Sequence, residues 1–303
     1  MTWDDYNRLR AALDRGAAAE VAAEIAAAAH LGELRVPLVG LQAQALARLG
    51  RPAPAIAALH TLVAAGMADY WTHHLLAQNH TASGDPVSAA AAYRQAHACA
   101  GWPESLRNGY MFTHDYFSAN IAAWQSWFAE HITAAPIAVL EIGSWQGGSA
   151  CWLLDKVIAP RGGRLTCIDT FGGSSEHAGM DAVTPGALEA VFDANIARTG
   201  HAPLVRKLVG FSQSVLPRLH GESFDFIYID GAHEAKFVIQ DAVLSWNLLR
   251  AGGFLLFDDL PFAFAATPEQ DTHQAIDFFL SVFREDVEVI ARGHQLLLRR
   301  IRM

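Results

Sequence analysis

Three carboxylates and a histidine stand at the ends of two predicted strands. Asp230 closes one apolar run, and Asp258 with Asp259 closes the next run along the chain. If the two strands are neighbours in a parallel sheet, these carboxylates lie together at the edge where such sheets bind ligands. A divalent cation, which prefers oxygen ligands, would relieve their mutual repulsion. The sequence therefore favours a metal site at these aspartates, near His233, over the alternative in which Asp258 or Asp259 caps the next loop and His233 makes a hydrogen bond in a turn.

A glycine-rich segment follows an earlier apolar run, Ile137–Ile142. Glycines let a backbone approach a ligand closely, and the N–H groups at a helix N-terminus, beside a carboxylate, bind hydroxyl or amino groups. A helix is expected from about Ala150, directly after this segment. The pattern predicts a strand, a nucleotide-type binding loop and a helix. The predicted binding residues are Glu141, Gly143, Ser144, Trp145, Gly147, Gly148 and Ser149.

A second acid is predicted to bind the sugar of the nucleotide. Asp169 ends the strand Arg164–Asp169, where an acidic residue of an open α/β fold accepts hydrogen bonds from ribose hydroxyls. Thr170 follows it in a glycine-containing loop and is included in the predicted binding set. Ser212, at the start of a later helix, is the candidate for contact with the adenine edge.

Strands and helices alternate throughout residues 136–303, which predicts an α/β domain. Gly252 and Gly253 are expected to end the helix that runs through Val238 to Leu249. The segment 176–185 is predicted to be irregular. The remaining predicted elements are helices at 186–198 and 270–284, strands at 203–209, 224–230 and 254–257, and a terminal hairpin of 287–291 with 295–298. The hairpin would give the sheet an antiparallel end.

The first third of the chain repeats with a period of 34 residues. Gly16, Gly50 and Gly84 each end one helical pattern, and each is followed by another. This period is typical of helix–turn–helix arrays, and residues 1–100 resemble degenerate tetratricopeptide repeats. Two interpretations of this all-α domain remain open. It is either a surface for a protein partner or for self-association into a homo-oligomer, or a module that only stabilises the rest of the chain.

Residues 101–135 are predicted to connect the two domains. Gly101-Trp-Pro103 breaks the helical array, since proline disfavours helix in the residue before it. The next predicted helix, Ala119–His131, has one apolar face that must lie against something. His114 and Asp115 precede this helix in an aromatic and polar loop. They are candidate pocket residues, with a structural role as the alternative.

From the composition we expect a globular, cytoplasmic protein. The chain has 303 residues, of which 52% are hydrophobic and 17% charged, with a formal net charge of -9. A nucleic-acid partner is not expected, because affinity for phosphates rests on clustered Lys and Arg. Neither a basic leader nor an apolar run of about 18 residues proposes a secretory signal or a membrane span. The three cysteines match no metal-site spacing, which suggests reduced thiols.

Four motifs, taken in order, resemble the class I S-adenosylmethionine-dependent methyltransferases. They are Glu141-Ile-Gly-Ser-Trp-Gln-Gly-Gly-Ser149, Cys167-Ile-Asp169-Thr-Phe, Tyr228-Ile-Asp230-Gly-Ala-His233 and Phe257-Asp258-Asp259. The likeness covers about residues 110–303. The nearest group is the small-molecule O-methyltransferases with an aspartate–glycine–any–histidine motif, akin to macrocin and catechol methyltransferases. Asp259 stands where the catechol-type enzymes have asparagine, which argues against catechol as the substrate.

The resemblance implies a fold and a cofactor. The fold would be a Rossmann-like methyltransferase sheet with an antiparallel C-terminal hairpin, preceded by the helical-repeat domain. Glu141 and the glycine loop would hold the methionine moiety of S-adenosylmethionine, Asp169 its ribose, and Ser212 would lie near the adenine. Asp230 would also border this cofactor, and the helix Ala119–His131 would cover it.

The resemblance also implies a reaction. Asp230, Asp258 and Asp259 match positions that bind Mg²⁺ in the metal-dependent relatives, and another divalent cation could take its place. His233 occupies the place of the general base, so His233 and Asp230 are the predicted catalytic residues. The reaction would be attack of an acceptor hydroxyl, on a small molecule, sugar or natural product, at the sulfonium methyl group.

Two other function classes are alternatives to this enzyme. A NAD-dependent dehydrogenase is disfavoured, because Gly143, Gly147 and Gly148 do not have the glycine spacing of the dinucleotide fingerprint. A scaffold would bind a protein through its repeats, while an inactive α/β domain merely held the cofactor. Since the motif residues are intact, the enzyme ranks above the scaffold.

Overall fold

The computed structural model of the protein describes residues 1–28, 30–173, 186–260 and 267–302. The chain divides into two compact units, Met1–Ala122 and Ala123–Met303. The predicted irregular segment 176–185 lies outside the described residues. Among the helices of the described ranges, none has the length and apolar character needed to cross a membrane.

The first unit is all-α, as predicted. Its helices are α1 (Trp3–Asp14), α2 (Ala18–Ala27), α3 (Arg35–Arg48), α4 (Pro52–Ala64), α5 (Tyr70–Ala82), α6 (Pro86–Cys99) and α7 (Glu104–Asn108). Helices α1 to α6 follow one another as pairs with short connections. Leucine, valine and alanine side chains of α1 to α5 form one buried core along the array.

The glycines of the 34-residue period make the turn inside each helix pair. Gly16, Gly50 and Gly84 have φ values of 91°, 66° and 75°, in the left-handed region that side chains disfavour. The residues five positions further on are fully buried, as close helix packing requires: Val21, Ala55 and Ala89. The predicted helix pairs are therefore present, whereas membership of the tetratricopeptide repeat family stays a prediction.

Asp115 lies in the interior of the first unit, with a side chain that is 4% exposed. Its Oδ2 lies 3.2 Å from Nε2 of His97 on α6 and 3.6 Å from Nδ1 of His74 on α5. Burial alone would raise the pKa of Asp115, but the charges and hydrogen bonds of His97 and His74 outweigh burial and hold this pKa well below 3.8. Its Oδ1 accepts the backbone N–H groups of Phe117 and Ser118. Asp115 thus fastens its own loop to two helices, which is the structural role that the sequence left open.

Replacing Asp115 by Asn should destabilise the helical unit. The variant removes a buried charge that two imidazoles face, and the expected loss is about 3 kcal/mol or more. Hydrogen exchange of the amide groups in α5 and α6 measures the local free energy of opening. Asp14→Asn, at a surface carboxylate that is 51% exposed, is the control and should change this free energy by less than about 0.5 kcal/mol. Equal protection in the two variants would contradict the assignment.

The second unit is built on a mixed sheet. Its strands are β1 (Ala138–Ile142), β2 (Arg164–Asp169), β3 (Val205–Val209), β4 (Phe224–Ile229), β5 (Leu249–Phe257), β6 (Val287–Arg292) and β7 (Leu296–Arg300). In the described part of the chain they form seven strands in the order β3-β2-β1-β4-β5-β7-β6. Strands β1 to β5 are parallel, and β7 runs antiparallel to β5 and β6. The predicted sheet and its antiparallel hairpin are confirmed. The strand order reverses at β1 and β4, where such folds bind ligands.

Helices cover the sheet on both faces. They are α8 (Ile121–Glu130), α9 (Gly148–Leu153), α10 (Ala159–Arg161), α11 (Ala187–Arg198), α12 (Ser212–Val215), α13 (Ala235–Trp246) and α14 (Thr272–Phe283). On α8, the ring centroid of Trp124 lies 4.9 Å from that of Tyr228, and the ring of Phe128 lies 5.1 Å from that of Phe226. The apolar face predicted for this helix therefore packs on β4. That the helix also covers a cofactor stays a prediction.

One predicted helix end is wrong. The helix before β5 ends at Trp246, not near Leu249, and Gly252 and Gly253 lie inside β5. The pairing of β4 with β5 shifts its register between Phe224 and Phe226, as a bulge requires. Gly252 has a φ of 78°, which fits a bulge as well as it fits the helix end that the sequence predicted.

Candidate active site

The loop after β1 lies against the end of β4. A Cβ atom on residue 143 would be 1.8 Å from the carbonyl oxygen of Asp230, so that glycine alone fits there. Gly143 has a φ of 87° and donates its N–H to Ile168 at the end of β2, at 2.9 Å. Gly147, with a φ of 85°, precedes α9, which begins at Gly148. The predicted glycine loop is therefore a tight turn at the carboxyl ends of three adjacent strands.

Glu141 is buried beneath this loop, with an exposure of 0%. Its two carboxylate oxygens accept the hydroxyl groups of Ser144 and Ser149, both at 2.5 Å. The thiol of Cys167 on β2 donates to the same carboxylate at 3.4 Å. Burial raises the pKa of Glu141 to about 7, although these hydrogen bonds lower it. Glu141 therefore holds the loop in place through hydrogen bonds. Its contact with the methionine moiety stays a prediction.

Asp169, at the end of β2, organises the same loop from the side. Its Oδ2 accepts the N–H groups of Ser144 and Trp145 at 2.7 and 2.9 Å, and its Oδ1 accepts that of Phe171 at 2.6 Å. The side chain is half-buried, beside Thr170, whose hydroxyl accepts the N–H of Gly172. A carboxylate oxygen has two lone pairs, so these contacts leave Asp169 able to accept a ribose hydroxyl.

Ser212 is held by a buried acid that the sequence did not single out. Its hydroxyl donates to Oδ1 of Asp241 on α13 at 2.6 Å, and Nε2 of Gln213 donates to the same oxygen at 3.2 Å. Burial raises the pKa of Asp241 to about 7, although the bond from Ser212 lowers it. Asp241 is 2% exposed and orients Ser212, the predicted adenine contact, together with the neighbouring Gln213. An acid in the middle of a predicted helix was the available signal.

Two of the three predicted metal aspartates, Asp230 and Asp258, meet at the hydroxyl group of Tyr228, and Asp259 is joined to Asp258. This hydroxyl lies 2.8 Å from Oδ2 of Asp230 and hydrogen-bonds Oδ2 of Asp258 as well. The backbone N–H of Asp259 donates to Oδ1 of Asp258 at 2.8 Å. Burial, and then the charges of the other two aspartates, raise the pKa of Asp230 well above 3.8, and burial with the charge of Asp259 raises that of Asp258. The mutual repulsion of these carboxylates is unfavourable, and a bound cation would relieve it.

Two histidines border these carboxylates. Nε2 of His233 lies 2.9 Å from Oδ2 of Asp259, as predicted from their positions after β4 and β5. His294, in the turn between β6 and β7, was missed: its Nε2 lies 3.3 Å from Oδ1 of Asp259 and 3.5 Å from Oδ1 of Asp258. The predicted hairpin contained this residue, but only the pairing of β7 with β5 brings its turn to the site. The neighbouring Gln295 donates to Asp258 at 3.0 Å.

Residues with a strained backbone conformation lie at the same edge of the sheet. Among the described residues, three that are not glycine have a positive φ: Trp145 at 46°, Phe171 at 51° and Asp259 at 51°. They follow β1, β2 and β5, respectively. Such conformations persist only where the surroundings enforce them, and they cluster at functional sites. The strain therefore supports a functional site at this edge independently of the carboxylates.

The strand order and this site together define the class of the second unit. A parallel sheet with an antiparallel β7 between β5 and β6, a glycine turn after β1 and an acid after β2 are the features implied by the resemblance. Residues 140–260 match the family model described as a methyltransferase domain. The unit is a class I S-adenosylmethionine-dependent methyltransferase domain, and this prediction is confirmed.

Among similar proteins, a curated relative from Mycobacterium sp. (strain JLS) carries the name "Putative O-methyltransferase". It is 31% identical over 161 residues, which cover 52% of this chain and 63% of the relative, just under two thirds of its length. Among solved structures, an O-methyltransferase from Bacillus cereus in complex with S-adenosylhomocysteine is 19% identical, with 68% of this chain and 90% of that chain covered and a TM-score of 0.47. The O-methyltransferase TomG from Streptomyces achromogenes, with S-adenosylmethionine bound, is 21% identical, with coverages of 55% and 73% and a TM-score of 0.42.

Glu141 should make the stability of the second unit depend on pH. Its pKa is raised from 4.5 in the unfolded chain to about 7 in the folded one. The folded state therefore keeps a proton that the unfolded state loses, so this contribution is complete below the unfolded pKa and disappears as pH rises through the folded pKa. The full difference is on the order of 3 kcal/mol.

The check is the free energy of unfolding between about pH 5 and about pH 8. Glu141→Gln should show a smaller fall in stability with rising pH than wild type, because an amide does not ionise, while Asp241, whose pKa is also raised to about 7, keeps its own share. Glu130→Gln, at an exposed carboxylate, is the control and should keep the wild-type slope. A slope that is the same in all three proteins would mean that Glu141 ionises equally in both states.

Proposed function

We propose that the protein is an S-adenosylmethionine-dependent O-methyltransferase that acts on a hydroxyl group of a small molecule, sugar or natural product with the help of a divalent cation. One observation carries the proposal. The glycine turn that suits a cofactor touches Asp230 through Gly143, and Asp230 is also joined to the group of carboxylates and histidines. A cofactor held by the turn would therefore lie beside groups that can bind and deprotonate a hydroxyl.

The proposed cofactor contacts follow the carboxyl ends of successive strands. The loop after β1 would receive the methionine moiety, Asp169 the ribose, and Ser212 with Gln213 the adenine edge. Asn195 of α11, which is fully buried, donates to the carbonyl oxygen of Gln146 at 3.0 Å and keeps the loop in place. A loop fixed from below, from the side and by a neighbouring helix loses little conformational entropy when it binds a ligand.

The donor groups present fit a divalent cation. Candidate ligand atoms lie within 4.8 Å of one another in two groups: Asp230, His233 and Asp259, and Asp258, Asp259 and His294. In the first group the two carboxylates are assigned to the cation, and His233 is assigned to proton transfer. Carboxylate oxygens suit hard cations such as Mg²⁺, and imidazole nitrogens extend the choice to transition metals. When bound, the cation would lower the pKa of a coordinated acceptor hydroxyl.

The residues of this chain have separable tasks in the proposed reaction. His233, oriented by the carboxylate of Asp259, takes the proton of the acceptor hydroxyl as general base. The acceptor oxygen then forms its bond to the methyl carbon as the bond between that carbon and sulfur breaks, giving a methyl ether and S-adenosylhomocysteine. Tyr228 holds Asp230 and Asp258 in place, and alignment of oxygen, carbon and sulfur supplies much of the rate.

Two further proposals concern what surrounds the reaction. The helical unit would bind a protein partner or a second copy of the chain, and could deliver an acceptor bound to a carrier. A scaffold with an inactive α/β unit is the alternative function, and it would bind the cofactor without transferring the methyl group. A methyl-transfer assay against a panel of hydroxyl compounds separates the two functions.

Cofactor choice is tested by calorimetry with S-adenosylmethionine, S-adenosylhomocysteine and NAD. We expect heat from the first two, and none from NAD. Asp169→Ala should weaken the binding of S-adenosylmethionine and of S-adenosylhomocysteine by about tenfold or more, because hydrogen bonds to a charged group are lost. Asp277→Ala, at an exposed carboxylate of α14, is the control and should bind normally. Heat on NAD alone would overturn the proposed function.

The role of His233 is tested by separating binding from turnover. His233→Ala should lower kcat by about 10²- to 10⁴-fold while the Kd for S-adenosylmethionine changes little, because a general base acts in the chemical step. His220→Gln is the matched control, since His220 is exposed and lies before β4, at the opposite end of that strand. If kcat and affinity fall together, or if neither falls, His233 is not the base.

A further inference from the structure

Within the described part of the chain, His294 is an imidazole at the site that the family-based prediction did not include. It belongs to the turn that joins β6 to β7, and its side chain is 58% exposed. Its Nε2 faces two carboxylates at once, at 3.3 Å from Asp259 and 3.5 Å from Asp258. These contacts raise the question of whether the histidine is a surface ion-pair partner or a ligand.

We propose that His294 is a ligand of the divalent cation and that its imidazole makes the site prefer a transition-metal ion such as Co²⁺ or Mn²⁺ over Mg²⁺. The inference rests on the metal-binding part of the proposed function. It adds to that proposal a ligand from the C-terminal hairpin and a class of metal.

The distances favour a shared ligand role over an ion pair. Charge-assisted N–H···O bonds are typically about 2.7–2.9 Å long. Both contacts of His294 are longer, at 3.3 and 3.5 Å. Two ligands on a metal with bonds of about 2.1 Å are about 3 Å apart at right angles and about 3.4 Å apart at the tetrahedral angle, so the spacing of His294 from the two carboxylates is compatible with that of a co-ligand.

The backbone holds His294 in this position. Its carbonyl oxygen accepts the N–H of Leu260, which follows Asp259, at 2.6 Å. The next residue, Gln295, is 4% exposed and donates its side-chain amide to Oδ2 of Asp258. The hairpin turn is therefore attached to the metal-site loop at His294 itself and at the residue that follows it, as a preorganised ligand would be.

The ligand type decides the metal. Mg²⁺ keeps oxygen ligands and waters in a strict octahedron, whereas imidazole nitrogen suits transition metals. Oxygen ligands alone are compatible with Mg²⁺. One imidazole among them shifts the balance toward Mn²⁺ and, more strongly, Co²⁺, in the order that nitrogen-containing sites follow.

The first test is calorimetry of the full, metal-stripped protein with MgCl₂, MnCl₂ and CoCl₂. Wild type and His220→Gln should bind Co²⁺ at least about tenfold more tightly than Mg²⁺. His294→Gln should lose about 10- to 100-fold in affinity for Co²⁺ and less for Mg²⁺, so that the ratio of the two affinities falls. An unchanged ratio in His294→Gln would overturn the inference.

The second test identifies the ligand directly, by pulsed electron paramagnetic resonance of bound Mn²⁺. Coupling to a directly bound imidazole nitrogen should be present in wild type, persist in His233→Gln and be lost or reduced in His294→Gln. Full coupling in His294→Gln, or none in wild type, contradicts the inference while leaving the methyltransferase proposal intact. If none of the three ions binds, the inference and the metal-dependent part of the proposed function both fail, and binding of S-adenosylmethionine still tests the rest.

Discussion

The site depends on residue 143 being glycine, which has no side chain. The carbonyl oxygen of Asp230 occupies the space that a Cβ there would need, at 1.8 Å. Because β1 and β4 are neighbours in a parallel sheet, the loops that follow them must pass each other at this point. A glycine lets them touch, which brings the proposed cofactor turn against the proposed metal site. The proximity that methyl transfer requires is therefore set by backbone packing.

Around this contact, the sheet concentrates groups that are costly to bury. Glu141 and Asp241 are carboxyl groups whose pKa burial raises to about 7, and each is held by side-chain hydroxyl groups. Asp230 and Asp258 share the hydroxyl of Tyr228. The left-handed backbone of Asp259 adds strain to this edge. Buried carboxyl groups and strained backbone conformations persist only where the surrounding structure enforces them. Here the seven-stranded sheet and its buried core do so.

The first unit uses similar groups for a different purpose. Asp115 is surrounded by His74 and His97, yet the three side chains are almost wholly buried, so they fasten a loop and offer no surface to a substrate. His233 and Asp259 are about as close to each other as His97 and Asp115, but they are half-buried at the ligand-binding edge of a sheet. The same pair of residue types therefore supports stability in one unit and proposed chemistry in the other, and exposure separates the two roles.

The local pattern of the sequence determined the strands, most helices and the acids that end β2, β4 and β5, because these depend on neighbouring residues and on a period of two or 3.6. It also placed Gly16, Gly50 and Gly84 at helix ends, since a positive φ is a local demand. The tertiary structure alone decided the rest. Gly252 and Gly253 lie within β5 because β4 pairs on both sides of them. Ser212 has a buried partner because α13 packs beside α12, and His294 reaches the carboxylates because β7 pairs with β5. Contacts between distant segments depend on strand order and register, which leave no mark in the spacing of residues along the chain.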